Sequence, residues 1–554
     1  MKTKNMSAGQ GERGVVLIIC LILLLMLSLI GISSLTTTNS DMKVAENEMN
    51  HMEAFYNAES GLEQAAATII TAYETTGNPP SPLPYGYVSS GNQHYTYNTI
   101  DLGPAEQKTL SVGAYRGLYG LVKAFTVTSD GRDATGASAV RLMVDVQDAL
   151  IPLFQFAIFY QNDLEIAPGP NMTLGGRVHS NHDVYLQSGN NLYVNSYLSS
   201  AGNIFHGRRP NSGQSTDNGN VFIVDRNGVN QNMKNSDGTW LDSRSTDWVN
   251  ASLTRWGGLV EDHNHGITEL YMPVVADGPP TDLIDRGAGN ADSYEHEAGL
   301  KFVDGQALFH QLNGTWIDIT ATLVAQGAIS YTTFTDGRQG RTVSSMDLNI
   351  GRLAQLNYFP DNGIIYASIP SSSGSFPVIR MRNATELAGP FTLATNNPIY
   401  TMGNFNTVNK KPAALIGDAL TILSNNWSDA RSGQSLSNRV ATVTQVNACY
   451  ISGFVETGTN GNSYSGGLEN LPRFLEKWDG VSFTWRGSAA ALWLSRLATA
   501  TWAYGGYYTA PNRDWAFDPD LLDIDNLPPG TPMVNIVQKM NWRQEILSGD
   551  YAEE

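Results

Sequence analysis

At 554 residues the chain exceeds one ordinary domain, so two or more packed units are expected. An apolar share of 41% suffices for real cores, while 16% charged residues and 54 glycines favour strands and turns over surface helices. A net charge of −18 makes nucleic acid and anionic bilayer surfaces poor partners for the soluble part. The two cysteines, Cys20 in an apolar run and Cys449 far beyond it, provide no intramolecular disulfide framework.

The first element is the apolar run after Gly14. From Val15 to Ile32 it carries no charge for about 18 residues, enough to cross most of a hydrocarbon core as a helix. Lys2, Lys4 and Arg13 precede it, against Glu12 alone, whereas Asp41, Glu46, Glu48, Glu53, Glu59 and Glu63 follow with only Lys43 opposing them. That bias predicts a single pass with the N-terminus cytoplasmic and the body outside. An ordinary signal peptide has a shorter apolar core and then a break. Here the helical pattern continues through Met42, Ala45, Met49, Met52, Phe55, Tyr56, Leu62, Ala65, Ala66 and Ile69, mostly at spacings of three and four. Gly77-Asn78-Pro79-Pro80 supplies the stop. One helix from Val15 to Glu74 would measure roughly 90 Å.

Three ordered blocks in this region carry a resemblance. They are Gly11-Glu-Arg-Gly14 with Val-Val-Leu-Ile, then Leu27-Ser-Leu-Ile-Gly-Ile-Ser-Ser-Leu-Thr-Thr-Thr38, then Ala54-Phe-Tyr-Asn-Ala-Glu-Ser-Gly-Leu-Glu-Gln-Ala65. Together the first 65 residues or so resemble the N-terminal region of PilX-type pilus assembly proteins, which are minor pilin-like proteins of the type IV pilus system. The resemblance implies cleavage by a prepilin peptidase after Gly14, leaving Val15 as the first mature residue. It also implies packing of the helix against other pilins and minor pilins. Major pilins carry glutamate at the fifth mature position, where this chain has Ile19. In the family that carboxylate is thought to pair with a neighbouring subunit's N-terminal amine, offsetting an ion in an apolar bundle. Its lack argues against a main fibre subunit and leaves a minor, initiating or tip subunit, or a membrane anchor that is never cleaved.

Beyond the helix the fold class is α+β, with a large β-rich body. From Ser81 to Gln147 the pattern has period two. Ala124-Phe-Thr-Val-Thr128 and Ala139-Val-Arg-Leu-Met-Val-Asp-Val146 flank a Gly/Asp-rich turn and predict a β-hairpin in a pilin-like head. From Phe154 the units shorten to Asp163-Leu-Glu-Ile166, Asn171-Met-Thr-Leu174, Asp183-Val-Tyr-Leu186 and Asn191-Leu-Tyr-Val194. Such units fit turns of a β-solenoid, and equally a meander or sandwich. Pro398–Met402, Ala413–Leu423 and Ala448–Val455 have the same character, which favours a β-helix-like core. Leu471, Phe474, Leu475 and Trp478 would share one face of a short capping helix, with Glu469 and Glu476 free to pair with Arg473 or Lys477. The segment from Tyr464 to Trp478, with Phe483–Ser488 and Pro511–Trp515, resembles the C-terminal part of large proteins that share the PilX-type N-terminus.

The expected division is a basic leader at 1–14, a membrane and stalk helix at 15–76 and a β-rich head or linker at 77–150. A first solenoid-like section at 151–206, an elaborated lobe at 207–390 and a second such section with a C-terminal cap at 391–554 follow.

Candidate chemistry is sparse. His179 and His182 have a spacing that could bring two imidazoles to one metal, but Asn181 and Asp183 are ordinary turn residues. Glu261-Asp-His-Asn-His265 and Glu295-His-Glu297 lie among loop formers, which makes solvated loops the default. Asp514, Asp518, Asp520, Asp523 and Asp525 suggest oxygen ligands for Ca²⁺, yet the tract lacks the glycine and distal glutamate of an EF-hand. No Gly-x-Ser-x-Gly, HExxH or phosphate-cradling loop occurs. These readings predict a non-enzymatic protein without cofactor, acting as a minor pilin-like subunit in the inner membrane or on the pilus or cell surface. It would prime, cap or decorate the fibre. The alternative is a membrane-anchored adhesin or carbohydrate-active β-helix protein that borrows a pilin-like anchor.

Overall fold

The computed structural model describes residues 11–546, apart from 137, 273–277, 288, 372–373, 459–463 and 504. Helix α1 (Gly11–Thr76) runs unbroken, as its apolar period predicts. It stops at Gly77, whose φ of 65° lets its N–H reach the Tyr73 carbonyl at 2.9 Å. The prolines after it cannot continue a helix.

Five strands follow: β1 (Tyr85–Ser90), β2 (Gln93–Asp101), β3 (Glu106–Thr109), β4 (Tyr119–Arg132) and β5 (Ala139–Pro152). They pair antiparallel in the order β1-β2-β4-β5, with β3 on β4, and β4 and β5 form the expected hairpin. The sheet is completed from the far end of the chain. Met533–Ile546 runs antiparallel to β5, from Met533 opposite Pro152 to Ile546 opposite Val140, with an irregularity between Met540 and Arg543. The body is thus inserted between two neighbouring strands of one sheet. This corrects the expected unit at 391–554, because 533–546 belongs to the head. Its short-range pattern resembles any half-buried strand, so nothing local names its partner.

Within the body, short parallel strands stack in ladders. Ile158 pairs with Val178 and Val178 with Leu198, while Leu164 pairs with Val184 and Val184 with Ile204, each a step of 20 residues. Met172 and Leu192 repeat that step on another sheet. The next strand there, Asn220–Val224, is displaced along the chain by the loop after His206. Farther on, Ile364–Ala367, Phe391–Ala394, Ala413–Gly417, Cys449–Phe454 and Ala489–Leu494 are successive parallel neighbours. Ala489 then pairs with Ile158, so the later stretch ends against the start of the earlier one. Among the described residues this later series and the Ile158, Val178 and Leu198 strands share one twelve-stranded sheet, which the chain enters and leaves in its middle.

Within 207–390, Asn220–Val224, Ile364–Ala367 and Phe376–Arg382 are ladder strands. One further expectation needs correction. The capping helix is a strand: Pro472–Phe474 pairs with Leu420–Ile422 after a single turn at Leu468–Asn470. It lies at the edge of its sheet, where proline's missing N–H does no harm. Leu471, Phe474, Leu475 and Trp478 are buried all the same. Glu469 bonds the Tyr464 hydroxyl (2.9 Å) and Glu476 the Ser424 hydroxyl (2.7 Å), not the cations expected.

Three apolar layers bind these parts together. Val140, Leu142, Val144 and Val146 on β5 face α1, whereas Ala149 and Ile151 face the body with Val534 and Ile536. Opposite them stand Ala414, Ile416, Ile451, Ala490 and Leu492. Ala413 and Leu415, one residue out of phase, point into the body's own core. A strand buried on both faces reads as a continuous apolar run, which is why Ala413–Ile416 has no polar alternation.

Candidate functional site: the N-terminal helix and its platform

Helix α1 has two unlike halves. From Gly14 to Met52, about 60 Å at 1.5 Å per residue, its large apolar side chains are exposed, including Val15 (57%), Ile19 (51%) and Met52 (54%). By length and composition this part can cross a membrane. Its hydroxyls are already satisfied inside the helix. Ser28 donates to Leu24 O (2.8 Å), Thr36 to Ser33 O (2.8 Å), Thr37 to Ser33 O (3.0 Å) and Thr38 to Ser34 O (2.8 Å). Such bonds let polar side chains enter an apolar phase without an orphan donor.

The second half is docked. Ala54, Ala58, Leu62, Ala65, Ala66, Ile69 and Tyr73, spaced by three and four, are buried against Phe125, Val127 and the inward side chains of β5. The approach is backbone to backbone. A Cβ on Gly61 would lie 2.4 Å from Ser129 Oγ, and one on Gly131 would lie 2.2 Å from Ala54 O. Asn57 donates to Asn92 O (2.9 Å) and Arg132 O (2.7 Å). The C-terminal strand is fastened to the same helix. Lys539 pairs with Glu63 at 2.7 Å, and the Trp542 and Phe55 rings lie 6.3 Å apart.

Two carboxylates of β5 differ sharply. Burial would raise the Asp145 carboxyl, but Arg543 (3.1 Å), Asn541 (2.9 Å) and Thr126 (2.8 Å) hold it below its ordinary value. Asp148, three residues on, is pushed up to about 7 by loss of hydration, with Asn535 acting in the opposite sense. A carboxyl of this kind titrates near neutrality instead of in the usual carboxylate range.

The other sequence candidates fall elsewhere. His179 is buried with Nε2 on Asn181 Oδ1 (3.0 Å) and Nδ1 on the Ser199 hydroxyl (2.9 Å), and burial pushes it down to about 4. His182 is exposed, so the two imidazoles are not brought together. Asp262 is a buried hub, not a loop residue in solvent. It accepts from Ser243 (2.6 Å) and Trp248 Nε1 (2.7 Å) and pairs with His265 (2.8 Å). Burial alone would raise its carboxyl, but these bonds lower it to about 2. Glu295 pairs with Arg286. Asp514 pairs with Arg486 (2.9 Å), and Asp518 and Asp520 with Lys410 (2.7 and 2.8 Å). Lysine and arginine thus pair with that part of the acidic tract. Among the described residues no group of three or more His, Cys, Asp or Glu is arranged to hold a metal.

Sequence reasoning missed Met533–Ile546 as part of the platform. Its signal was available in the alternating apolar residues Val534 and Ile536. It also missed the buried cluster in which Arg380 binds Asp347 (2.6 Å) and Asp429 (2.6 Å), for which no local pattern exists.

Residues 13–63 match the PilX N-terminal family model. The match begins beside Gly14 and ends within the docked half of α1. Among solved structures, the crystal structure of the competence-associated pilin ComZ from Thermus thermophilus matches at 12% identity, covering 90% of this chain and 98% of that one. Its TM-score is 0.28. No curated protein matches the chain. The chain carries a PilX-type, pilin-like N-terminal region.

Proposed function

We propose that this chain, with its PilX-type N-terminal region, is a minor pilin-like subunit of a type IV pilus assembly. The observation that carries the reading is the division of α1 into a free apolar half and a half docked on an antiparallel sheet. The free half anchors the protein in the inner membrane, N-terminus cytoplasmic, and then packs against the helices of other pilins and minor pilins. A prepilin peptidase cuts between Gly14 and Val15. With Ile19 in place of glutamate, the subunit primes or caps the fibre instead of repeating along it.

The body is a β-solenoid, a reading supported by the shared 20-residue step of neighbouring ladders. It is non-enzymatic and is carried outward as a rigid load, since the apolar layer beneath the head sheet joins the two. It presents surface for contacts with other subunits or with substrata.

The mature N-terminus, read by mass spectrometry on protein from its own membrane, tests the processing step. A chain starting at Val15 is expected, and an intact Met1 would overturn it. Deletion of the gene is expected to lower pilus number, twitching or adhesion. Unchanged values of all three would sink the assembly role.

A further inference from the structure

A narrow cavity lies at the seam where the two stretches of ladder meet. Tyr160, Asp163, Glu165, Arg209, Arg338 and Arg473 are among the residues that line it. Its acidic side is closed. Arg209 donates to Asp163 (2.6 Å) and Glu456 (3.0 Å), its backbone N–H donates to Glu165 (3.1 Å), and the Thr457 hydroxyl takes the other Glu165 oxygen.

The basic side is not closed. Arg473 is 5% exposed and Arg338 is 9% exposed. Arg473 reaches the Ser495 hydroxyl at 3.3 Å, and its Nη1 has no partner among the described residues. Arg338 Nε likewise has none, and no carboxylate among the described residues forms an ion pair with either guanidinium. Asp418 and Asp336 act on Arg473 through charge, but their oxygens are bonded elsewhere and fill none of its donors. Asp418 accepts the N–H groups of Arg496 (2.5 Å), Leu497 (3.0 Å) and Ala498 (2.9 Å), and Asp336 accepts from Tyr400 and from the Gln339 N–H (2.8 Å). Two like charges withdrawn from water, each with open donors, are costly unless an anion completes them.

We infer that the cavity beside Arg338 and Arg473 is a binding site for one small oxyanion, held by charge-assisted bonds from the two guanidiniums. The cavity is small, about 30 Å³. That admits a carboxylate or a single inorganic ion but no sugar ring. The anion is therefore either free sulfate or phosphate, or the carboxylate of a larger acidic molecule whose remainder stays at the rim by Arg209. The inference is independent of the pilus role.

Thermal unfolding of the full chain in detergent tests it, with sodium sulfate, phosphate or acetate titrated against chloride at constant ionic strength. A saturable rise in Tm of about 2–5 °C is expected for at least one anion. Response to sulfate or phosphate alone identifies a free inorganic ion, and response to acetate identifies a carboxylate. Arg338→Gln, at a turn, should weaken apparent affinity at least tenfold, and Arg338→Lys should weaken it less because charge remains while the fork is lost. Arg473→Gln should do the same as Arg338→Gln. If Arg473→Gln does not fold, Arg338→Gln decides. No saturable rise with any of the three anions, or a rise undiminished in Arg338→Gln, overturns the site.

Discussion

Gly131 of β4 faces Ala58 of α1 so closely that a β-carbon added to it would lie 2.1 Å from the Ala58 backbone nitrogen. At that point helix and sheet backbones approach without a side chain of β4 between them, whereas Leu62, Ile69 and Tyr73 pack on Phe125 and Val127 alongside.

Gly131→Ala should push the helix from the sheet and destabilise the fold by about 2–3 kcal/mol. Gly169→Ala is the control, since nothing lies within 4 Å of its added carbon. It should change stability by less than about 0.5 kcal/mol. Urea unfolding of the two variants measures both, and equal midpoints would refute the close-contact account.

The C-terminal strand is held by burial more than by charge. Ile536 is 4% exposed in the layer between head and body, so Ile536→Ala should cost about 2–4 kcal/mol. Lys539 and Glu63 are both well exposed, so Lys539→Ala should cost no more than about 0.5 kcal/mol. The reverse order of the two effects would show that the ion pair, and not the apolar layer, secures the strand.

Asp148 makes stability depend on pH. Its carboxyl is raised from 3.8 to about 7 in the fold, so the folded state keeps a proton that the unfolded chain has released. The contribution is fully present below pH 4 and is lost as pH rises through 7, an amplitude of at most about 4 kcal/mol. Asp148→Asn should raise the urea midpoint at pH 8, leave it little changed at pH 4, and flatten the profile between. A variant with the parent's slope would exclude Asp148 as the source.

Asp262 gathers four side chains, those of Ser243, Trp248, Asn264 and His265. Asp262→Ala leaves the buried Trp248 indole without its acceptor, while Ser243 keeps the Ile204 carbonyl, and should cost about 2–4 kcal/mol. The near-ultraviolet circular dichroism of Trp248 should weaken in parallel. A fully stable variant with an unchanged spectrum would mean that the hub is dispensable.

The unbroken α1 was legible because its determinants are local: apolar residues at spacings of three and four, then Gly77 before two prolines. The β4–β5 hairpin was legible for the same reason, with period two on both sides of a short turn. Gly14, Val15 and Ile19 could be placed on the exposed helix from sequence, whereas the glycine contact beneath that helix could not. At Leu471–Trp478 local reasoning misled. Over eight residues a helical stripe and an irregular strand bury the same side chains, and Pro472 at a sheet edge tipped the balance.

By itself the sequence determined that this protein has one long apolar helix and a β-rich body of strands separated by polar turns, because propensity and periodicity act over a few residues. Only the tertiary structure decided that Asn541 meets Asp145, 396 positions away, and that the whole body hangs between two adjacent strands of the head. The same holds for Arg338 and Arg473, which share a cavity. Pairings across such separations depend on which apolar faces exclude water together, and that complementarity exists only once the chain has packed.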